Sequence, residues 1–242
     1  MLKLIRHAVL ILLLSSQWLP AQVYYQGIIG YHNRVFFTGD NLFVVPFQIG
    51  LTNNNHLSTI FGGNIIPDGS SISFWNPASA SFATNSVFQS GVWSEDLTLT
   101  PGTAARLNAI TTFTNVFAGV ILNHDGTMLN INGLSPPPLF AGPSGVYLFG
   151  DAAPLLDNTG NDVFLNVIGR APNVGEQVSL LDGLTQTYAT STYLGGGSWD
   201  VVPVLNLSEA AFFNISAVPE PSIAALGAIG LAGLAFLCRR LR

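Results

Sequence analysis

Gly69-Ser70-Ser71-Ile72-Ser73-Phe74-Trp75-Asn76 opens a stretch that ends at Ala109 and returns, without a gap, as Gly175 to Ile215. The offset in numbering is 106 throughout. Phe82 falls on Tyr188, Ala83-Thr84 on Ala189-Thr190, Gly91 on Gly197, Trp93 on Trp199, Leu99 on Leu205 and Ala104-Ala105 on Ala210-Ala211. Only 10 of the 41 positions are identical, and the likeness lies in which ones are kept: two matched tryptophans and the glycines beside them. A repeat of this length is the mark of two similar folding units, each seating one tryptophan in its own core or between sheets. β-Branched and aromatic runs separated by small polar residues suit strands. The chain is therefore expected to have an all-β body, either two similar small β-units or a β-sandwich.

Working outward, strands are expected at Val23–Tyr31, Leu42–Ile49 (with Pro46 marking an edge or bulge), Ile72–Trp75, Leu97–Leu99, Phe113–Leu122, Val163–Ile168, Gln177–Leu181 and Trp199–Leu205. Asp68-Gly69, Pro101-Gly102, Asp125-Gly126, Asp182-Gly183 and Gly195-Gly196-Gly197 are the turns between them. Pro136-Pro137-Pro138 interrupts the pattern. A first β-unit over 22–135, a Pro/Gly-rich linker over 136–144 and a second β-unit over 145–216 follow. The Pro101-Gly102 turn has become Leu207-Ser208 in the second copy.

Charge excludes several functions. Only 9% of the residues are charged, against about a quarter in soluble domains. Five of the eight basic residues lie at the two ends, so Arg34, Arg106 and Arg170 face all thirteen acids and leave the middle at −10. Such a body cannot neutralise phosphates, which argues against nucleic acid. Cys238 is the single cysteine, so the body has neither a disulfide nor a thiolate metal site.

The ends carry addresses. Lys3 and Arg6 precede the apolar run Ala8–Leu14 and a polar stretch closing Leu19-Pro20-Ala21-Gln22. This is the plan of a signal peptide over 1–21, cut by signal peptidase after Ala21. At the other end, Val218-Pro219-Glu220-Pro221 precedes the uncharged run 222–238 and then Arg239, Arg240 and Arg242. At a rise of about 1.5 Å per residue that run spans about 25 Å, enough for a transmembrane helix through a thin bilayer. The arginines would hold the tail in the cytoplasm and place the body outside. Two prolines keep the motif extended and stop a helix from propagating upstream.

Pro-Glu-Pro, a short apolar helix and a terminal arginine cluster, in that order and at the extreme C-terminus, resemble the PEP-CTERM sorting signal. The resemblance implies that an exosortase-type enzyme recognises Val218, Pro219, Glu220 and Pro221. Those residues are then recognition elements, the catalyst being the sorting enzyme. The body also resembles uncharacterised bacterial surface proteins with a doubled plan, through Gly39-Asp40-Asn41-Leu42, Asp68 to Asn76, Gly91-Val92-Trp93 and Pro101-Gly102. That likeness implies a fold and no activity.

No catalytic residue is chosen by any motif. His32, His56 and His124 are scattered, and none has a partner at i+4, so they read as turn histidines. Asp157 and Asp162 bracket an oxygen-rich loop that is the one calcium candidate, without EF-hand spacing. Glu95 and Asp96 are neighbours that a strand would point to opposite faces, which suits no acid–base pair. Trp75, Trp93 and Trp199 are candidate sugar-stacking platforms, against the plainer reading that they pack the sheets. The expected function is a non-enzymatic, cofactor-free exported protein. It would be held in the inner membrane by its C-terminal helix and then delivered to the cell surface or extracellular matrix, with extracellular polysaccharide a candidate partner. The alternatives are a glycan-binding module, which needs an exposed aromatic row, and a secreted glycoside hydrolase, which needs two carboxylates about 5–10 Å apart in a cleft.

Overall fold

A computed structural model describes residues 29–49, 55–62, 65–122, 140, 142–150 and 159–216. The expected signal peptide with Ala21, the motif Val218 to Pro221, the expected helix over 222–238 and Arg239, Arg240 and Arg242 lie outside the described residues, as do His124 and Asp157. Of the linker 136–144, only 140 and 142–144 are described. No helix among the described residues is long and apolar enough to cross a membrane.

Strand dominates. The first unit contains β1 (Ile29–Phe36), β2 (Gly39–Val44), a single helical turn α1 (Leu57–Ile60), β3 (Ser71–Asn76), β4 (Ser81–Gln89), β5 (Val92–Trp93), β6 (Ala104–Ala109) and β7 (Phe113–Val120). The second contains β8 (Gly145–Gly150), α2 (Asn161–Ile168), β9 (Gln177–Asp182), β10 (Thr187–Gly195), β11 (Ser198–Trp199) and β12 (Ala210–Ile215).

Two five-stranded antiparallel sheets form, ordered β2-β6-β3-β4-β5 and β8-β12-β9-β10-β11. Every strand of the second begins and ends at the constant sequence offset from its counterpart in the first. The register agrees as well: Gly39 faces Ala109 and Gly145 faces Ile215, while Ser73 faces Thr84 and Ser179 faces Thr190. A bulge between Ile72 and Ser73 belongs to the first sheet alone. Left-handed backbone recurs at the same offset, at Gly69 and Gly175, Ala80 and Gln186, Ser90 and Gly196, Gly91 and Gly197, and Gly102 and Ser208. Turn geometry is thus more persistent than residue identity.

The two sheets face each other. Leu42, Val44, Trp75, Phe82 and Ala104 of the first meet Leu148, Leu181, Ala210 and Phe212 of the second in one apolar layer. Alternation along the strands puts these residues on one face. The Trp75 ring stands 4.7 Å from Phe212 in an edge-to-face contact, and its indole N–H donates to the carbonyl of Val146 at 2.8 Å. Each sheet packs its other face on a core of its own. In the first unit Ile72, Leu107 and Phe43 lie with Phe36, Phe117, Phe61 and Trp93 under the β1–β7 ribbon. In the second, Val178, Ala211 and Phe213 lie under Val163, Phe164 and Ile168 of α2. Among the described residues, then, two five-stranded sheets meet face to face, each with a further core behind it.

Four expected strands are corrected. Val163–Ile168 is part of α2, because Val163, Phe164, Val167 and Ile168 share one helical face and Gly169, left-handed at φ 80°, ends the helix by donating to Phe164 O. Leu42–Ile49 breaks at Pro46: β2 ends at Val44, and Gln48 exchanges two backbone hydrogen bonds with Val120 of β7. That approach needs glycine in the ribbon, since a Cβ at Gly119 would lie 2.4 Å from Gln48 O and one at Gly30 2.2 Å from the Phe47 ring. Trp199–Leu205 keeps only Ser198–Trp199 as strand, and Leu97–Leu99 only a bridge from Thr98 to His56. The Val23–Tyr31 strand is described from Ile29 onward, where it runs on to Phe36 as β1.

Candidate functional site

The seam between the units holds the least economical chemistry in the body. Ser208 occupies the position of Gly102 and keeps its left-handed backbone, at φ 66°, although it bears a side chain and is completely buried. Non-glycine residues reach that region only at a cost of about 1–3 kcal/mol, sustained by their surroundings. Here the surroundings come from the other unit. Val44 N–H donates to Ser208 O at 3.0 Å, and the Arg34 guanidinium donates to both Ser208 O and Ser208 Oγ.

Arg34 alternates along β1 with His32 and Phe36, so all three turn inward. Its Nη2 donates to Leu42 O at 2.8 Å, and its Phe36 neighbour lies beneath it, the ring centroid 5.2 Å from Cζ. Nε is shut off from solvent with no acceptor. The ion pairs among the described residues are Arg106–Asp40 and Arg170–Glu176, and Arg34 has none. Burial pushes Arg34 down to about 10, with the charge of Glu209 pulling the other way, so the group stays charged at neutral pH. His32 is held below its ordinary value, first by burial and then by Arg34.

A cavity of about 230 Å³ opens beside these groups, walled by His32, Asn33, Arg34 and Leu42 from the first unit and by Leu181 and Glu209 from the second. The Glu209 carboxylate is steadied through Oε2, which accepts from Asn206 N at 3.0 Å and Nδ2 at 2.9 Å. Sequence reasoning passed over Arg34 and Ser208. The available signals were the scarcity of basic residues in the body and the lost Pro-Gly turn at Leu207-Ser208.

At the far end of β12 the Glu176 side chain is fully covered. It accepts from Arg170 Nη2 at 2.6 Å and Nη1 at 2.8 Å, from Asn173 N at 2.7 Å, and from Ser216 N and Oγ at 2.9 and 2.8 Å. Ser216 directly precedes the residues of the sorting motif.

The residues singled out from sequence are dispersed. Trp75 lies in the seam, Trp93 packs on Phe61 and Phe88, and Trp199 packs on Phe164 and Tyr193 with its N–H on Asn161 Oδ1. The three are packing residues in three different places and form no shared row. Trp93 edges a second cavity of about 280 Å³, with Asp96 bound to Ser58 N and Oγ. Asp162 is exposed in the first turn of α2. His56 Nδ1 meets Thr98 Oγ1 at 3.2 Å. Among the described residues no three metal-ligating side chains converge. Asp200 takes the N–H groups of Thr192 and Val201, and Asp96 and Glu176 are engaged as above.

Residues 217–242 match the family model of the PEP-CTERM protein-sorting motif. The chain carries a PEP-CTERM sorting signal. That signal implies an exported, membrane-associated protein and processing by an exosortase-type enzyme. The match is confined to the C-terminal segment and leaves the role of the body open. No curated protein and no solved structure matches the chain.

Proposed function

We propose that this is a non-enzymatic surface protein, delivered across the membrane by its N-terminal signal and handed to a sorting enzyme by its C-terminal one. The carrying observation is the sorting motif at 217–242, which begins at the residue after the last one clasped by Glu176. In this reading signal peptidase cuts after Ala21, residues 222–238 span the inner membrane, and Arg239, Arg240 and Arg242 stay on the cytoplasmic side. The sorting enzyme grips Val218 to Pro221, and the body then reaches the cell surface or extracellular matrix. The common offset of strands and turns favours an internal duplication as the origin of the body. A role in binding, and not in catalysis, is favoured by the way Asp96 and Glu176 spend both their oxygens, and Asp200 its Oδ1, on nearby donors of the protein itself. Intact mass and cell fractionation test the reading, on the native protein beside a Pro219→Ala, Pro221→Ala variant. Loss of the residues beyond the motif in the native protein, with an uncut variant held in the inner membrane, is expected. An uncut C-terminus in both would reduce the segment to an ordinary anchor.

A further inference from the structure

We propose that the cavity at the seam between the two units binds a small, singly charged hydroxy acid of sugar-acid size, gripped through its carboxylate by Arg34. Three independent features meet there. Arg34 is a half-buried cation without a carboxylate partner among the described residues; its guanidinium makes three hydrogen bonds, and its Nε makes none, as is also true of Arg106 and Arg170. A cation covered to this degree is normally paired, and Arg34 differs from Arg106 and Arg170 in lacking the carboxylate that a ligand can supply. Ser208 is held in a left-handed conformation against the same guanidinium, the kind of local strain that gathers at binding sites. The cavity itself has room for a small molecule, at about 230 Å³ against the ~300–1,000 Å³ of drug-sized pockets.

The walls select the ligand further. The edge of a guanidinium that carries Nε is one a carboxylate can grip with two parallel hydrogen bonds. Closing that fork requires the groups covering Nε to shift. Glu209 also faces the cavity, and its Oε1 has no partner among the described residues. It repels a second negative charge, which disfavours phosphates and dicarboxylates, and it accepts hydrogen bonds from ligand hydroxyls. Leu181 offers apolar surface for the face of a ring. One cation, one anion and an apolar wall fit a hydroxylated ring with one carboxylate.

The test is calorimetric titration of the full-length chain in mild detergent with D-glucuronate, D-glucose and D-glucose 6-phosphate. D-Glucuronate is expected to saturate with a dissociation constant of about 1 mM or tighter, with the neutral sugar at least about tenfold weaker. The sugar phosphate should also bind more weakly than D-glucuronate. Arg34→Gln should abolish binding. Because Arg34 also ties Ser208 to β1, the deciding variant is Glu209→Gln, which keeps an acceptor for Asn206 and removes the opposing charge. It should tighten D-glucuronate several-fold and narrow the gap to the phosphate. Equal binding of glucose and D-glucuronate, binding of none of the three, or an unchanged or weakened affinity in Glu209→Gln would overturn the proposal. None of these results depends on how the C-terminus is processed.

Discussion

Glu176 accepts both hydrogen bonds that Ser216 can donate, from the backbone N–H at 2.9 Å and from Oγ at 2.8 Å. The equivalent pair in the first unit is Ser70 and Ile110, where the N–H of Ile110 donates to Ser70 Oγ at 3.3 Å. In chain order, both units thus use the residue before the second strand of their sheet to fasten the residue after its last. In the second unit a carboxylate stands where the first has a hydroxyl, and it engages Arg170 and Asn173 as well. The stronger fastening is the one that precedes the sorting motif.

Removing the carboxylate with Glu176→Ala leaves Arg170 without its partner and Ser216 without an acceptor. A broken pair of this kind costs about 3 kcal/mol. Ser216→Ala removes one exposed donor and should cost about 1 kcal/mol or less. Denaturant midpoints of the two variants check the ranking, and near-equal values would mean that the fastening carries little stability.

The same group makes stability depend on acid. Burial pushes the Glu176 carboxyl up, but the hydrogen bonds from Arg170, Asn173 and Ser216 outweigh it and hold the group below the ordinary range. Its folded value lies below the unfolded value of about 4.3. Its contribution is therefore complete above that pH and disappears as the pH falls through the folded value. Asp96, Asp182 and Asp200 are lowered too and act with the same sign. Melting temperatures from pH 6 down to about pH 3 should fall less steeply in Glu176→Gln than in the native chain. Parallel curves would assign the acid response to the aspartates.

The matched tryptophans should respond differently to loss of the indole nitrogen. Trp93 Nε1 is buried with no acceptor, whereas Trp199 Nε1 donates to Asn161 Oδ1 at 2.9 Å. Trp93→Phe removes an unsatisfied donor along with some packing volume, and should stay within about 1 kcal/mol of the native chain. Trp199→Phe loses a made hydrogen bond and should cost about 1–2 kcal/mol. Chemical denaturation of both variants checks the order, and the reverse order would show that volume dominates.

Gly150 and Val44 are equivalent positions in facing strands, and the seam has room for one side chain. A Cβ at Gly150 would stand 2.5 Å from Val44 Cγ1 and 2.4 Å from Glu209 O. Gly150→Ala should destabilise by about 1–3 kcal/mol through overpacking. Combining it with Val44→Ala should recover part of that loss, with the backbone clash remaining. Full additivity in the double-mutant cycle would mean that the two residues do not share the space.

Much of the fold was legible at the level of periodicity. The constant offset, read from two tryptophans and a few glycines, carries over to strand bounds, register and left-handed turns, because turn geometry admits few residue types. Helix α2 was not legible as a helix, since Val163 to Ile168 is a short apolar run that periodicity alone cannot assign. Pro46 was readable as an interruption but not as the place where the chain leaves one sheet for another. Ser208 was readable as a lost Pro-Gly turn, though nothing local says that the turn survives by leaning on Arg34, far away in the other unit.

By itself, the sequence determined the C-terminal sorting address and the β character. Charge order, a proline-bounded motif and short-range strand and turn preferences are written in consecutive residues and need no partner to be read. Only the tertiary structure decided which faces of the two units meet, why Trp75 is a seam residue, and that Arg34, Ser208 and Glu209 surround one cavity. Those facts depend on side chains far apart in the chain being brought within a few ångströms, and burial and hydrogen-bond satisfaction choose among such pairings only once the sheets have packed.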